Sequence, residues 1–259
     1  MARQIEIPET FPAAGDVEGK RVVLTGAGRG LGRLLAHAFS RAGARVALVA
    51  RTRSEICAVA EALPGPALVF SGDVTDAAFN DEVAHATLTE WGGVDVWICN
   101  AGVSPIVAGP LETDPSVWRQ VLEVNLTGAF LGARAAARVM RHGGRLIFTG
   151  SVLGERPRAG LAAYSASKAG LVGLAKGLAL DLACAGITVN VVAPGWFDSP
   201  LAENWKNNPK LADGVLGHTA QRRWGAATDL AGAYQFLASD ASAFVTGTVL
   251  HVDGGYLLV

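Results

Sequence analysis

Cysteine, histidine and net charge are all in short supply in this chain of 259 residues, and each shortage excludes a class of function. The three cysteines, Cys57, Cys99 and Cys184, are an odd number without a C-x-x-C pair, and each lies in an apolar stretch suited to a buried thiol. They are expected to be packing residues in a reducing cytoplasm rather than parts of a disulfide framework. The five histidines are scattered, with no H-x-x-x-H pair and no Cys/His cluster, so no metal site of familiar spacing is expected. With 22 basic and 23 acidic side chains, the chain offers no global field to nucleic acid, an anionic membrane or a polycationic partner, and a small-molecule substrate fits better. Long apolar runs are also missing. The most hydrophobic helical stretch, 171–185, is interrupted by Lys176 and Asp181 and is too short and too charged to span a bilayer. Residues 1–17 contain acids and prolines, unlike a signal peptide.

What the chain does have is apolar content. Half of its residues are hydrophobic, enough for one large core, and a single domain over 1–259 is expected, with 1–17 as an N-terminal extension. Short runs rich in Val, Ile and Leu, at 21–25, 45–50, 67–71, 94–100, 145–150, 188–193 and 249–252, alternate with segments of helical spacing. That alternation predicts an α/β fold, a doubly wound sheet of seven parallel strands with helices on both faces. The longest helices are expected over 115–141 and 161–185. Segment 194–217, irregular and punctuated by Pro, Asn and Gly, directly follows a strand end, so it is expected to form a lid over a substrate.

After the first strand comes Thr25-Gly26-Ala27-Gly28-Arg29-Gly30-Leu31-Gly32, then a helical run. Glycines let the backbone approach a pyrophosphate closely, and a helix N-terminus adds free N–H groups and a positive dipole end. The turn has three residues between Gly26 and Gly30. Further motifs follow in order: Gly72-Asp73-Val74, Asn100-Ala101-Gly102, Asn125-Leu126-Thr127-Gly128, Ser151, Tyr164-Ser165-Ala166-Ser167-Lys168, Pro194-Gly195, Val245-Thr246-Gly247 and Val252-Asp253-Gly254-Gly255. This series resembles the short-chain dehydrogenase/reductase family from Lys20 to Tyr256, and the resemblance implies a Rossmann fold and an NAD(P)-dependent oxidoreductase.

By that resemblance Gly26, Arg29, Gly30, Leu31 and Gly32 cradle the dinucleotide, Asp73 and Val74 meet the adenine, and Asn100, Ala101 and Gly102 steady the sheet beside it. Pro194, Gly195, Phe197 and Ser199 are expected near the nicotinamide, with Ser199 where the family often has Thr. NAD sites commonly carry an acid at the end of the second strand, to accept from the ribose hydroxyls. Here that strand ends Val49-Ala50-Arg51, and Arg51 can take a 2′-phosphate by a charge-assisted fork, with Arg29 as a second clamp. NADP(H) is favoured, and NAD(H) stays open.

Tyr164 and Lys168, four residues apart, share one face of a helix. A charge about 4 Å away, at an effective dielectric near 20, is worth about 4 kcal/mol and would carry a phenol roughly three pKa units toward neutrality. With three Tyr and five Lys in the chain, such a pair arises by chance about 6% of the time. Ser151 at a strand end and Asn125 remove that explanation by completing the family's four catalytic positions. The resemblance then implies that Tyr164 donates the proton, Ser151 binds the reacting oxygen, Lys168 tunes Tyr164 and holds ribose hydroxyls, and Asn125 fixes a water linking Lys168 to solvent.

The Tyr-x-x-x-Lys spacing argues against enoyl reductases of the superfamily, whose Tyr and Lys lie seven apart. A reductase of acyl-carrier-bound 3-ketones is the alternative; those enzymes often carry Arg where this chain has Leu180, although Arg141 could meet an acidic carrier. A non-catalytic cofactor-binding sensor fits poorly with four retained positions. The substrate is expected to be a small ketone, keto-sugar or polyol bound by Ser151, Leu153, Tyr164, Trp196 and Trp205. Phe197, Leu201 and Leu211, with Val103 and Val152, add to an apolar pocket. Arg156, Arg158 and Lys206 are read as solvated surface charges, with carboxylate binding as the other reading. The resemblance also implies a homotetramer, and the alanine-rich faces 133–139 and 169–185 and the apolar terminus 256–259 are suited to its contacts.

Overall fold

Strands that are buried on both faces form the centre of the molecule, as the continuous apolar runs require. A computed structural model describes residues 7–10, 15–104, 107–140, 143–199 and 202–259. The strands are β1 (Arg21–Thr25), β2 (Arg45–Ala50), β3 (Ala67–Ser71), β4 (Val96–Cys99), β5 (Gly144–Thr149), β6 (Ile187–Pro194) and β7 (Val249–Val252). They form one parallel sheet in the order β3-β2-β1-β4-β5-β6-β7. All residues of β4 and β6 are buried, whereas the edge strands β3 and β7 are only partly covered.

Successive strand residues point to opposite faces, so Val22 and Leu24 enter one core and Val23 the other. The first core includes Leu34, Leu35 and Phe39 of α1 (Gly30–Arg41), Ile56 and Val59 of α2 (Arg53–Glu61), and Leu230, Tyr234 and Leu237 of α9 (Ala227–Ala238). The second packs α3 (Ala77–Trp91), α5 (Gly128–Val139) and α6 (Ala162–Leu182) around Trp97 and Phe148. Asp76 caps α3, accepting from Ala78 N at 2.8 Å. Asp114 caps α4 (Pro115–Leu122), with Pro115 in the first turn, where its missing N–H is harmless.

The sheet departs from expectation mainly at element ends. β4 covers 96–99 rather than 94–100, β5 begins and ends one residue earlier than expected, and β6 extends to Pro194. The long helix expected over 115–141 is α4 and α5 joined by a π-helical turn, Glu123–Thr127, with Asn125 buried inside it; Arg141 lies outside the described residues. Segment 194–217 is less irregular than expected, because it holds α7 (Glu203–Lys206) and α8 (Pro209–Gly217). Asn208 caps α8 through Lys210 N at 3.1 Å, and Pro209 opens it, so its start had a sequence signal in Asn-Pro. Of the cysteines only Cys99 is buried; Cys57 is half-buried and Cys184 exposed.

The chain runs outward from β1 through β2 to β3, then returns to β4 on the other side of β1, which opens a crevice at the carboxyl ends of β1 and β4. At the opposite end Arg21 and Asp95 fasten the two strands. Arg21 donates to Asp95 from Nε at 2.7 Å, from Nη2 at 2.5 Å and from its amide at 2.8 Å. Burial would raise the Asp95 pKa, but the hydrogen bonds and charge of Arg21 outweigh it and hold the carboxyl below its ordinary value. A group depressed in this way stabilises the fold above its ordinary range and loses that contribution as pH falls through its folded value. In chemical denaturation at neutral pH, Asp95→Ala should cost about 2 kcal/mol, and the gap to the parent protein should close on acidification. A gap that is constant with pH would assign the loss to packing instead.

Candidate active site

The crevice is built first from the turn after β1. Gly26 and Gly30 have φ of +68° and +54°, values that L side chains rarely adopt, and a Cβ on Gly32 would collide with the Gly26 carbonyl oxygen. The turn therefore lies directly on the first turn of α1, which has neither a side-chain cap nor an acidic residue. Its N–H groups are available to an anion, the cradle that a dinucleotide pyrophosphate needs. Thr25 fixes the facing edge: its hydroxyl accepts from the amides of Asn100 and Ala101, each at 3.0 Å, while Asn100 Nδ2 donates to Thr25 O at 3.0 Å. Asn100, Ala101 and Gly102 are thus pinned across from the glycine turn.

Other positions expected near a cofactor surround the same crevice. Arg29 and Arg51 are both exposed, Arg51 just beyond the end of β2. Asp73 Oδ1 accepts from the amide and the hydroxyl of Thr75, both at 2.9 Å, which holds the turn ahead of Val74. Gly195 N donates to Val252 O at 2.9 Å, and Ser199 O accepts from Ala202 N at 2.9 Å. Phe197 departs from expectation: its ring is buried in the first core against Gly225, so only its main chain is left to face the crevice. Glu55 escaped the sequence reading. A Cβ on Gly28 would fall 2.8 Å from Glu55 Oε2, so a carboxylate borders the glycine turn on the side of Arg51 and Arg53.

Ser151, Tyr164 and Lys168 come together where β5 ends. Ser151 follows β5 by two residues, and its Oγ accepts from Leu153 N at 3.1 Å, capping the short 3-10 turn Val152–Gly154. Tyr164 and Lys168 occupy the first turns of α6, with Lys168 Nζ 5.6 Å from the centre of the phenol ring. Lys168 is only 4% exposed and donates to Thr149 O at 2.7 Å. Thr149 Oγ1 in turn pairs with the Tyr234 hydroxyl at 2.7 Å and donates to Asn100 Oδ1 at 3.3 Å. Thr149 and Tyr234 therefore belong to the site's support, though no sequence motif marked either of them.

The electrostatics correct the simple charge-pair estimate. Burial pushes the Tyr164 phenol above its ordinary value, and a hydrogen bond with Ser151 only partly opposes this. Burial lowers Lys168 to about 8. The expectation of a phenol brought toward neutrality counted one attractive charge at about 4 Å and omitted the desolvation of both groups. The Asn125 side chain is held by protein partners. Its Oδ1 accepts from Val103 N at 2.7 Å, and its Nδ2 donates to Val103 O and Ser167 Oγ, both at 3.0 Å. Its amide is committed to protein partners, and it stands near Lys168: a Cβ on Gly102 would be 3.4 Å from Asn125 Oδ1 and 3.6 Å from Lys168 Nζ.

Trp196, Trp205, Leu153 and Tyr164 join one apolar cluster with Val152, Leu161, Val215 and Tyr256. The Trp196 ring lies 5.0 Å from Trp205 and 6.1 Å from Trp224, which the sequence reading did not single out. Leu211 is 37% exposed and Leu201 lies outside the described residues. Arg156 and Arg158 are not solvated charges: both pack on Tyr256, and Lys206 is paired with Asp198. A cavity of about 510 Å³ reaches Tyr164 and is lined in part by Ser104, Thr113, Trp118 and Leu161. Among the described residues no group of three or more His, Cys, Asp or Glu could hold a metal ion, and no helix is long and apolar enough to cross a membrane.

Comparison with known proteins agrees with this geometry. The family profile described as Enoyl-(Acyl carrier protein) reductase matches residues 26–257. The 3-oxoacyl-[acyl-carrier-protein] reductase FabG of Escherichia coli is 37% identical over 245 residues, 93% of this chain and 99% of that protein. The 3beta-hydroxysteroid dehydrogenase 1 of Eggerthella lenta is 38% identical over 257 residues, 94% of this chain and 95% of the relative. A solved short-chain type dehydrogenase/reductase from Mycobacterium marinum superposes with a TM-score of 0.86 at 35% identity, covering 93% of this chain and 96% of that one. With its glycine turn, its seven-stranded parallel sheet and these relatives, the chain belongs to the short-chain dehydrogenase/reductase family of NAD(P)-dependent oxidoreductases.

Proposed function

We propose that the protein reduces a ketone on a small molecule with NADPH, and in reverse oxidises the secondary alcohol, with Tyr164 as proton donor and acceptor. The observation that carries this reading is the buried Lys168 ammonium, fixed on Thr149 O at 2.7 Å and 5.6 Å from the Tyr164 ring. A bound dinucleotide supplies the hydride. Tyr164 gives its proton to the carbonyl oxygen as that oxygen gains charge, and Ser151 donates a hydrogen bond to the same atom. The Lys168 ammonium, with its Nζ 5.6 Å from the Tyr164 ring centre, favours the resulting phenolate. Burial raises the Tyr164 phenol above its ordinary value and so favours the protonated form that donates in reduction. Asn125 acts by position: it joins the Val103 loop to Ser167, beside Lys168.

The residues that would hold the cofactor are the glycine turn with Arg29 and Leu31, then Asp73, Val74, Asn100 to Gly102, Tyr164, Lys168, Pro194, Gly195, the Phe197 main chain and Ser199. Exposed Arg51, at the end of a β2 that lacks an acid, supports NADP(H); Glu55 at the glycine turn opposes it. NAD(H) is the alternative that Glu55 favours. The four-residue spacing of Tyr164 and Lys168 supports carbonyl rather than enoyl reduction.

Reduction of acyl-carrier-bound 3-ketones is the second reading, favoured by the 37% identity to the Escherichia coli 3-oxoacyl-[acyl-carrier-protein] reductase. On this chain the helix position in question is Leu180, 81% exposed and apolar, which suits another subunit better than an acidic carrier. We assign the exposed apolar side chains of Phe130, Leu180, Phe244 and Leu258 to the contacts of a homotetramer. The alanines expected there, including Ala133, Ala136, Ala175 and Ala179, are buried against the chain's own sheet, and Tyr256 is buried in the cluster around Trp196.

Tyr164→Phe, assayed with a panel of cyclic ketones, keto-sugars and keto-esters, should bind NADPH normally and turn over slower by about 10³-fold or more; near-normal turnover would refute the assignment. Arg51→Asp should lower kcat/KM for NADPH by about 10-fold or more and leave the value for NADH within a few-fold. An unchanged NADPH/NADH ratio, or a parent enzyme that prefers NADH, would remove the NADP(H) assignment.

A further inference from the structure

Six residues before Tyr164, in the loop that connects it to Ser151, Arg158 occupies a place among aromatic rings. Its guanidinium carbon lies 5.5 Å from the Trp196 ring centre, 5.4 Å from Trp205 and 5.9 Å from Tyr256. Its Nε donates to the Tyr256 hydroxyl at 3.0 Å and its Nη2 to Gly214 O at 3.3 Å. One planar cation thus joins the loop between Ser151 and Tyr164, the segment carrying Trp196 and Trp205, helix α8 and the C-terminal turn Tyr256–Leu258. Arg156 reinforces the last of these, donating to Tyr256 O at 2.9 Å and to Val259 O, with its own guanidinium 5.4 Å from the Tyr256 ring.

We infer that Arg158 is a positioning residue for the substrate: it holds the Trp196 and Trp205 wall against the loop that carries the proton donor, with the C-terminus as its anchor. The inference rests on the proposed active site. Trp196 needs such a support because its buried indole N–H has no hydrogen-bond partner among the described residues, so ring contacts set its orientation. Those contacts meet at Arg158, whose flat, permanently charged fork can stack on rings and donate sideways at once. A lysine has neither the plane nor the second donor direction. The cluster packs against Tyr164, whereas the glycine turn and Arg51, which follow β1 and β2, are not part of it. Substrate affinity should therefore depend on Arg158, and dinucleotide affinity should not.

The test uses the full chain with Arg158→Leu, Arg158→Lys and Tyr256→Phe, measured by ketone kinetics, NADPH titration and hydrogen exchange of peptides within 202–217. Arg158→Leu should raise the ketone KM about 10-fold or more with kcat within about threefold and cofactor Kd unchanged, and Arg158→Lys should not restore KM. Tyr256→Phe, which removes one acceptor and no packing, should raise KM by about two- to fivefold. Exchange over 202–217 should quicken in Arg158→Leu by about 10-fold or more, a result independent of which ketone is turned over. If no ketone is reduced by the parent enzyme, the functional reading fails while the exchange result still decides this one. Parent-like exchange in Arg158→Leu, full rescue by lysine, or an equal loss of cofactor affinity would each overturn the inference.

Discussion

A buried ammonium hydrogen-bonded to a strand-end carbonyl is the constraint around which the site is arranged. Lys168 is 4% exposed, and its Nζ donates to Thr149 O at 2.7 Å, the carbonyl at the last residue of β5. Burying a cation is costly unless its donors are met, and that burial lowers Lys168 to about 8. The surrounding hydrogen bonds keep the carbonyl where the cation needs it. Thr149 is held by Tyr234 of α9 and by Asn100, and Asn100 by Thr25, so the ends of β1, β4 and β5 and the cover of the opposite face share one polar chain. Asn125 supports Lys168 from the remaining side, through a π-helical turn that puts its buried amide on Val103 and Ser167.

This arrangement explains why the two halves of the crevice differ. The half formed by the glycine turn and the N-terminus of α1 is made of backbone, with donors fixed by glycines that tolerate no Cβ. The half beyond Tyr164 is made of side chains: Trp196, Trp205 and Tyr256, gathered on Arg158, with Trp224 packed on Trp196. The first half suits a ligand shared across the family, and the second is where one member can differ from another by a few aromatic residues.

Much of this was legible in the sequence because it depends on local pattern. Strands covered on both faces read as unbroken apolar runs, and the Tyr164 to Lys168 spacing stacks two side chains on any helix. What was not legible depends on contacts made at long range or on solvation. Arg158 looked like a solvated loop cation because the rings that surround it are about 40 to 100 residues further along the chain. Glu55 and Tyr234 reach the site only through the packing of α2 and α9. Phe197 stands beside Trp196, yet the two rings enter different cores, a choice made by Gly225 leaving space for one of them. The Tyr164 shift was misjudged in sign because spacing conveys the neighbouring charge and says nothing of the water removed from both groups.

The central claim is that the charge on Lys168 assists the proton that leaves Tyr164. Lys168 is protonated below about 8 and loses its charge as pH rises through that value, so reduction should be fastest below it. The most direct measurement is kcat/KM for ketone reduction as a function of pH, in the parent enzyme and in Lys168→Met. In the parent, kcat/KM should fall as pH rises through about 8, and the variant should be slow and lack that break. A parent profile that is flat through this range, or the same break kept in Lys168→Met, would contradict it.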